Sequence, residues 1–290
     1  MSEGLLDMVV KPVVITDYDF VKFKELFYKK TGIKFDVSKR YFVDKRLVER
    51  IEASGCSSFR EYYNLLRSPE GMKEFQELIN VMTVNESYFF REEYQFKCLV
   101  KSALPEIVSR KKDTKPIRFW IIPSAAGEEP YSIAIYLLEK WDGIDKWDVE
   151  LISSDIDTKV LDQAKRGLYS KRAVQYVPEK YLRKYFTRTA DGYYQICDDL
   201  RQSIRFTRVN LCDPNETRSY RDFDIIFCRN LLIYFDDVSR RLAAETFYDA
   251  LKPGGFIFLG HSESMSRISS LYRIRKFSEA IIYQKPLEEL

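Results

Sequence analysis

Histidine is nearly missing from this chain of 290 residues: His261 is the only one. A mechanism built on an imidazole base or a histidine-walled metal site therefore has little to work with, and no metal is expected. Cysteine is sparse as well. Cys56, Cys98, Cys197, Cys212 and Cys228 form no CxxC or other ligand spacing, and no span reads as a signal peptide or a long apolar segment. A cytoplasmic protein with reduced thiols, not inserted in a membrane, is expected. Net charge is the third shortage. The 47 basic and 44 acidic residues leave +3, which favours neither a general nucleic-acid binder nor an acidic solvating protein. Any basic patch must be local, and no basic stripe with interleaved aromatics runs along the chain. The length suffices for one large domain or two modest ones with an ample core.

The most informative stretch is Ile117 to Leu138, IRFWIIPSAAGEEPYSIAIYLL. Arg118 to Ile122 is rich in β-branched and aromatic residues, Pro123 to Gly127 punctuates it, and Glu128, Glu129 and Pro130 stand at a helix start. Ile133, Leu137 and Trp141 then recur at i, i+4. In an α/β sheet the loop leaving the first strand is where a ligand meets backbone amides, and small residues permit close approach. The acidic pair would repel a pyrophosphate but welcome a nucleoside cofactor carrying an ammonium or sulfonium group. The same residues also suit an ordinary structural strand-to-helix turn.

Residues 1–84 read as helical throughout. Thr16 and Asp19 form a capping arrangement ahead of Phe20, Phe23 and Phe27, and Gly32 closes that helix. Ser38 opens a second helix with Val43, Leu47 and Ile51, Ser58 a third, and a fourth carries Met72, Phe75, Ile79 and Met82. On the second helix Lys39, Arg46 and Arg50 share one face, placed either to receive an acidic helix or to form a solvated surface. From Thr83 to Arg91 the sequence TVNESYFFR is dense in side chains that hydrogen-bond or stack. Asn85, Glu86 and Ser87 are positioned to cap a helix from Tyr94 to Val100; alternatively, Arg91 supplies an anion-holding guanidinium in a partly dry site.

Beyond the central unit, Val149 to Ser154 reads as a strand ending in Asp155-Ile156-Asp157. Asp155 takes the position that holds ribose hydroxyls, and Asp157 caps the helix that Gly167 ends. Thr187 to Arg205 departs from the surrounding alternation and reads as a small antiparallel insert, residues 186–205, with Ala190-Asp191-Gly192 as its turn. Ile204 to Val209 is a strand that continues into the main sheet. Phe223 to Cys228 is apolar enough for a central parallel strand. Asp236 or Asp237 starts a helix, Lys252 to Gly255 turns into a strand Phe256 to Leu259, and Arg273 to Phe277 with Ala280 to Gln284 form a closing hairpin.

The segments NESYFFR, GEEPYSIAI, SDID, FCRNLLIYF, LKPGG and GHSE, in this order over nearly the whole chain, resemble the CheR family of chemotaxis-receptor glutamate O-methyltransferases. The resemblance implies an α/β protein: a small all-α N-terminal bundle (1–84), then a Rossmann-like class I S-adenosylmethionine-dependent methyltransferase domain (85–290) carrying the inserted β-subdomain. It implies Asn85, Ser87, Arg91, Glu129, Asp155, Asn210, Leu211, Arg229 and Asn230 around S-adenosylmethionine, with Arg91 and Tyr234 bordering methyl transfer. S-adenosylhomocysteine would be the product, and Lys39, Arg46 and Arg50 would meet the helical methylation region of methyl-accepting chemotaxis receptors. The loop departs from the family in one respect, since Pro123-Ser124-Ala125-Ala126 replaces the family's small residue followed by Cys/Ser-Ser-Thr. The turn at Asp191-Gly192 is shorter than in members that capture a receptor's C-terminal pentapeptide, so independence of that peptide is expected. Two other readings fit parts of the chain: a methyltransferase for nucleic acid or a metabolite, and a cofactor-binding regulator without activity.

Overall fold

The computed structural model describes residues 13–287, so the outermost residues of both expected domains lie outside the described residues. The chain divides into two compact units, one holding the residues up to Lys29 and Phe35–Met82, the other Lys30–Lys34 and everything from Thr83 onward.

The first unit is built on helices Asp17–Thr31, Arg40–Ala53, Phe59–Arg67 and Met72–Met82. Thr16 and Asp19 cap the first reciprocally: the Thr16 amide donates to Asp19 Oδ2 at 3.0 Å and the Asp19 amide to Thr16 Oγ1 at 3.2 Å. Ser58 caps the third through the Glu61 amide. Fully buried Phe23 and Phe27 pack with Phe35 and Phe75, Phe27 lying 5.4 Å from Phe35 and 6.1 Å from Phe75 between ring centres. The second helix does not begin at Ser38. A single 3₁₀ turn, Val37–Lys39, precedes it, and Arg40, the first residue of the helix, pairs with Asp44 and Asp17.

The basic face of that helix is not a free surface. Arg50 forms a bidentate ion pair with Glu74, which also accepts from the Tyr62 hydroxyl at 2.7 Å. Arg46 donates from Nε to the Val81 carbonyl at 2.6 Å and lies over the Phe42 ring. Lys39 is exposed.

The second unit is an α/β layer structure. Its strands are β1 (Ile117–Ile121), β2 (Val149–Asp155), β3 (Leu168–Tyr169), β4 (Phe186–Arg188), β5 (Tyr194–Ile196), β6 (Ile204–Arg208), β7 (Phe223–Cys228), β8 (Leu251–Leu259), β9 (Arg273–Lys276) and β10 (Ile281–Gln284). Seven of them form one sheet in the order β6-β2-β1-β7-β8-β10-β9. The first five pair in parallel, and β10 runs antiparallel to both neighbours. Alternation along β1 sends Phe119 and Ile121 to one apolar cluster and Trp120 to the other. Strand β7 is buried at every position, as a central parallel strand covered on both faces must be. Among the described residues, no helix is long and apolar enough to cross a membrane.

Three details of the second unit differ from the sequence reading. The insert is a three-stranded sheet, β3-β5-β4, that starts before residue 186. Gly167 ends helix Thr158–Arg166 at φ +65, and a Cβ there would lie 2.6 Å from Ile196. The chain leaving it therefore pairs at once with β5, over a strand of only two residues that carries no periodic signal. Lys252 to Gly255 is not a separate turn but the irregular start of β8, where the register to β7 skips between Phe223 and Ile225. Finally, Asn85, Glu86 and Ser87 do not cap the following helix: it begins at Glu93 behind a left-handed Glu92, then continues through a π stretch, Leu99–Ala103, to Arg110.

Candidate active site

The carboxyl ends of β1, β2 and β7 surround a cleft, as expected for a parallel sheet. After β1 the chain passes a cis Ile122–Pro123 bond and a loop with Ala125 at φ +46 and Gly127 at φ +95. The Ser124 amide donates to the Ser154 carbonyl at 2.7 Å and the Ala125 amide to Asp155 Oδ2 at 2.9 Å. A Cβ on Gly127 would stand 2.9 Å from both Tyr131 and the Tyr169 hydroxyl, so only glycine permits this entry into helix Glu128–Lys140.

Arg229, just past β7, is the centre of the cleft's electrostatics. Its side chain is 1% exposed. One terminal nitrogen donates to Glu129 Oε2 at 2.7 Å; the other donates to the Arg91 carbonyl at 2.6 Å and lies 3.3 Å from Glu92. Burial pushes the Glu129 carboxyl up and Arg229 opposes it. Arg91 itself donates to the Glu86 carbonyl at 3.4 Å, holds its guanidinium 5.7 Å from the Tyr88 ring centre and lines the cavity. Tyr234 is 37% exposed at the same wall.

All the cofactor and transfer residues named from the sequence line two adjoining cavities. The larger, about 160 Å³, takes in Asn85, Ser87, Arg91, Glu129, Arg229, Asn230 and Tyr234. The smaller, about 30 Å³, shares Pro123 and takes in Asp155, Asn210 and Leu211. Their side chains are not equally free. Both ends of the Asn210 amide are committed within the chain, Nδ2 to the Lys30 carbonyl and Oδ1 to the Cys212 amide. Asp155 accepts from the Ala125 and Asp157 amides, and burial pushes it up to about 7. Asp157 caps its helix through Lys159 and Val160 and accepts from Thr83 Oγ1 and Asn85 Nδ2 at 2.6 and 2.7 Å. Lys39, Arg46 and Arg50 belong to the first unit and not to these cavities. His261 is exposed.

Sequence reasoning missed Glu92, while Ser124 and Glu263 stood in quoted segments without a role of their own. Ser124 lines the larger cavity, fully buried, and its Oγ has no hydrogen-bond partner within the protein. Its only signal was its place at the strand end.

The site thus joins a buried carboxylate–guanidinium pair, an unsatisfied hydroxyl and a buried acid at the next strand end. The description "CheR methyltransferase, SAM binding domain" matches residues 85–281, and "CheR methyltransferase, all-alpha domain" matches residues 18–83. The chain belongs to the CheR methyltransferase family. It is 53% identical to Chemotaxis protein methyltransferase 2 of Vibrio cholerae serotype O1 over 94% of this chain and 95% of that one. It is 33% identical to the Chemotaxis protein methyltransferase of Escherichia coli strain K12 (94% and 93% covered) and 35% identical to Chemotaxis protein methyltransferase 2 of Pseudomonas aeruginosa (89% and 90% covered). As a CheR protein it is an S-adenosylmethionine-dependent methyltransferase, and the donor set fits that ligand. Glu129 suits an ammonium, the Ser124 hydroxyl has no partner within the protein, and Asp155 lies at the end of the second strand, where a carboxylate could meet ribose hydroxyls.

Glu128, beside this pair, is 6% exposed, and one of its carboxylate oxygens has no hydrogen-bond partner. Burial pushes its carboxyl from the ordinary 4.5 up to about 7. Between those values the folded chain binds more protons than the unfolded one, so this contribution to stability is fully present below pH 4.5 and lost as pH rises through 7. Glu128→Gln is therefore expected to be more stable than the parent at pH 8, by on the order of 3 kcal/mol. The difference should close toward pH 4 in thermal melts, and equal melting at pH 8 would contradict this reading.

Proposed function

We propose that the chain transfers a methyl group from S-adenosylmethionine to the γ-carboxylate of glutamates in methyl-accepting chemotaxis receptors, leaving methyl esters and S-adenosylhomocysteine. The observation that carries the proposal is a cavity wall combining the Glu129–Arg229 pair with the outward Arg91 guanidinium and Tyr234. When bound, S-adenosylmethionine supplies an electrophilic methyl group on a sulfonium. A substrate glutamate with pKa about 4.3 is already ionised at neutral pH, so no base is required and the exposed His261 has no part to play. Arg91 orients the incoming carboxylate, and Tyr234 lines the methyl path with its hydroxyl, a neutral phenol at physiological pH whose pKa partial burial raises further. Holding oxygen, methyl carbon and sulfur in line supplies roughly 7–11 kcal/mol.

Receptor methylation regions are helical and acidic, and the first unit offers them Lys39 as an exposed cation. Arg46 adds charge but is anchored to Val81, while Arg50 is neutralised by Glu74. The proposed steering face is accordingly smaller than three free cations would make it.

Incubating the protein with methyl-labelled S-adenosylmethionine and receptor-containing membranes should place base-labile label on the receptor. Arg91→Ala should lower that turnover at least about tenfold while changing S-adenosylhomocysteine affinity much less. Cofactor binding lost with normal turnover at saturation would refute the role of Arg91, and an unlabelled receptor would refute the substrate.

Recruitment is proposed to be independent of a receptor C-terminal pentapeptide. A captured peptide would extend a sheet edge, and β4 offers only Phe186–Arg188 before Thr189 and Tyr193 close the turn upon themselves. Micromolar affinity corresponds to about 8 kcal/mol, more than so short an edge supplies. Calorimetry with such pentapeptides should show no saturable binding; micromolar binding abolished by changes at Asp191 or Gly192 would overturn the proposal.

A further inference from the structure

The neighbouring strands β7 and β8 end together, Cys228 opposite Leu259, and beyond them the two chains diverge. Residues 229–234, leaving β7, form part of the cavity wall through Arg229, Asn230, Ile233 and Tyr234. With Asn230 at φ +58 and a 3₁₀ turn at Leu232–Tyr234, this segment cannot continue the ladder, and its amides need other acceptors. One side chain supplies them for Asn230 and Leu232. Glu263 Oε2 accepts from the Asn230 amide at 2.9 Å and from the Gly260 amide at 2.8 Å, and its Oε1 accepts from the Leu232 amide at 2.8 Å. The fit leaves no slack, because a Cβ on Gly260 would lie 2.8 Å from Glu263 Oε2 and 2.9 Å from both nitrogens of Asn230.

We infer that Glu263 is a positioning residue for methyl transfer: its carboxylate clamps the Asn230–Tyr234 turn to the end of β8, and so sets where Asn230 and Tyr234 stand in the cavity. The role rests on the methyltransferase reading above; the clamp itself does not. Charge-assisted bonds to three amides of two chain segments make a stiffer mount than a loop provides by itself. The far end of the turn is held separately, by the Lys34 amide on the Tyr234 carbonyl and the Ile33–Phe235 bridge. Loss of Glu263 should therefore tilt the turn and leave it attached.

Glu263→Gln keeps the shape but replaces one acceptor oxygen with a donor that faces an amide. Gly260→Ala breaks the same clamp from the other side. Both variants should show faster deuterium uptake in peptides spanning 229–235 and unchanged uptake over 117–140, with kcat for receptor methylation falling about tenfold to a hundredfold. S-adenosylhomocysteine affinity should fall by a smaller factor, because Asn85, Ser87, Glu129 and Arg229 do not hang on this clamp. Unchanged uptake at 229–235 in Glu263→Gln would overturn the inference. So would faster uptake throughout the larger unit in both variants, which would make the residue merely structural. Failure of the methyltransferase reading would look different: the parent itself would transfer no methyl, and the uptake and affinity measurements alone would then decide.

Discussion

The buried guanidinium of Arg229 is the constraint on which the cleft depends. Taking a cation out of water is costly unless its partners are close and well aligned, and removing one partner of a buried pair leaves an uncompensated charge. Arg229 answers with both terminal nitrogens, drawing in Glu129 from the start of a helix and Glu92 and the Arg91 carbonyl from the segment before the sheet, while its Nε has no hydrogen-bond partner among the described residues. Three stretches far apart in sequence are thereby fixed around one atom group. The left-handed backbone at Phe90 and Glu92 is part of that arrangement, because it turns the Arg91 carbonyl and the Glu92 carboxylate toward the same guanidinium.

From this centre the remaining site features follow. With Arg229 turned inward, Arg91 stays at the cavity wall, the position from which it is proposed to orient a carboxylate substrate. Glu129, held by Arg229, remains a directed acceptor at the helix start. Asp155 and Glu128 carry raised proton affinities because burial outweighs the amides they accept from. The chemistry asked of such a site is orientation and charge placement with no proton to remove, which agrees with the scarcity of histidine in the chain.

Much of this was legible in the sequence where the signal is local. The strand-loop-helix unit from Ile117, the buried run Phe223–Cys228, the Thr16/Asp19 cap and the Asp157 cap all rest on neighbours a few residues apart, and the structure shows each of them. What escaped was set by long-range partners. Nothing near Arg50 announces Glu74, and nothing near Asn210 announces the Lys30 carbonyl. The two-residue strand Leu168–Tyr169 is too short for a period, and it pairs with the strand Tyr194–Ile196 further along the chain. Glu263 sat in a quoted motif, yet its purpose depends on Asn230 and Leu232 across the sheet ends.

The central claim is that Arg229 and Glu129 act as one unit in forming the cofactor cleft. Calorimetric titration of S-adenosylhomocysteine into the parent, Glu129→Gln, Arg229→Met and the double variant tests it most directly. The account predicts that each single change weakens binding at least about tenfold and that the double variant is scarcely worse than either one. Losses that simply add, or affinity retained in either single variant, would contradict it.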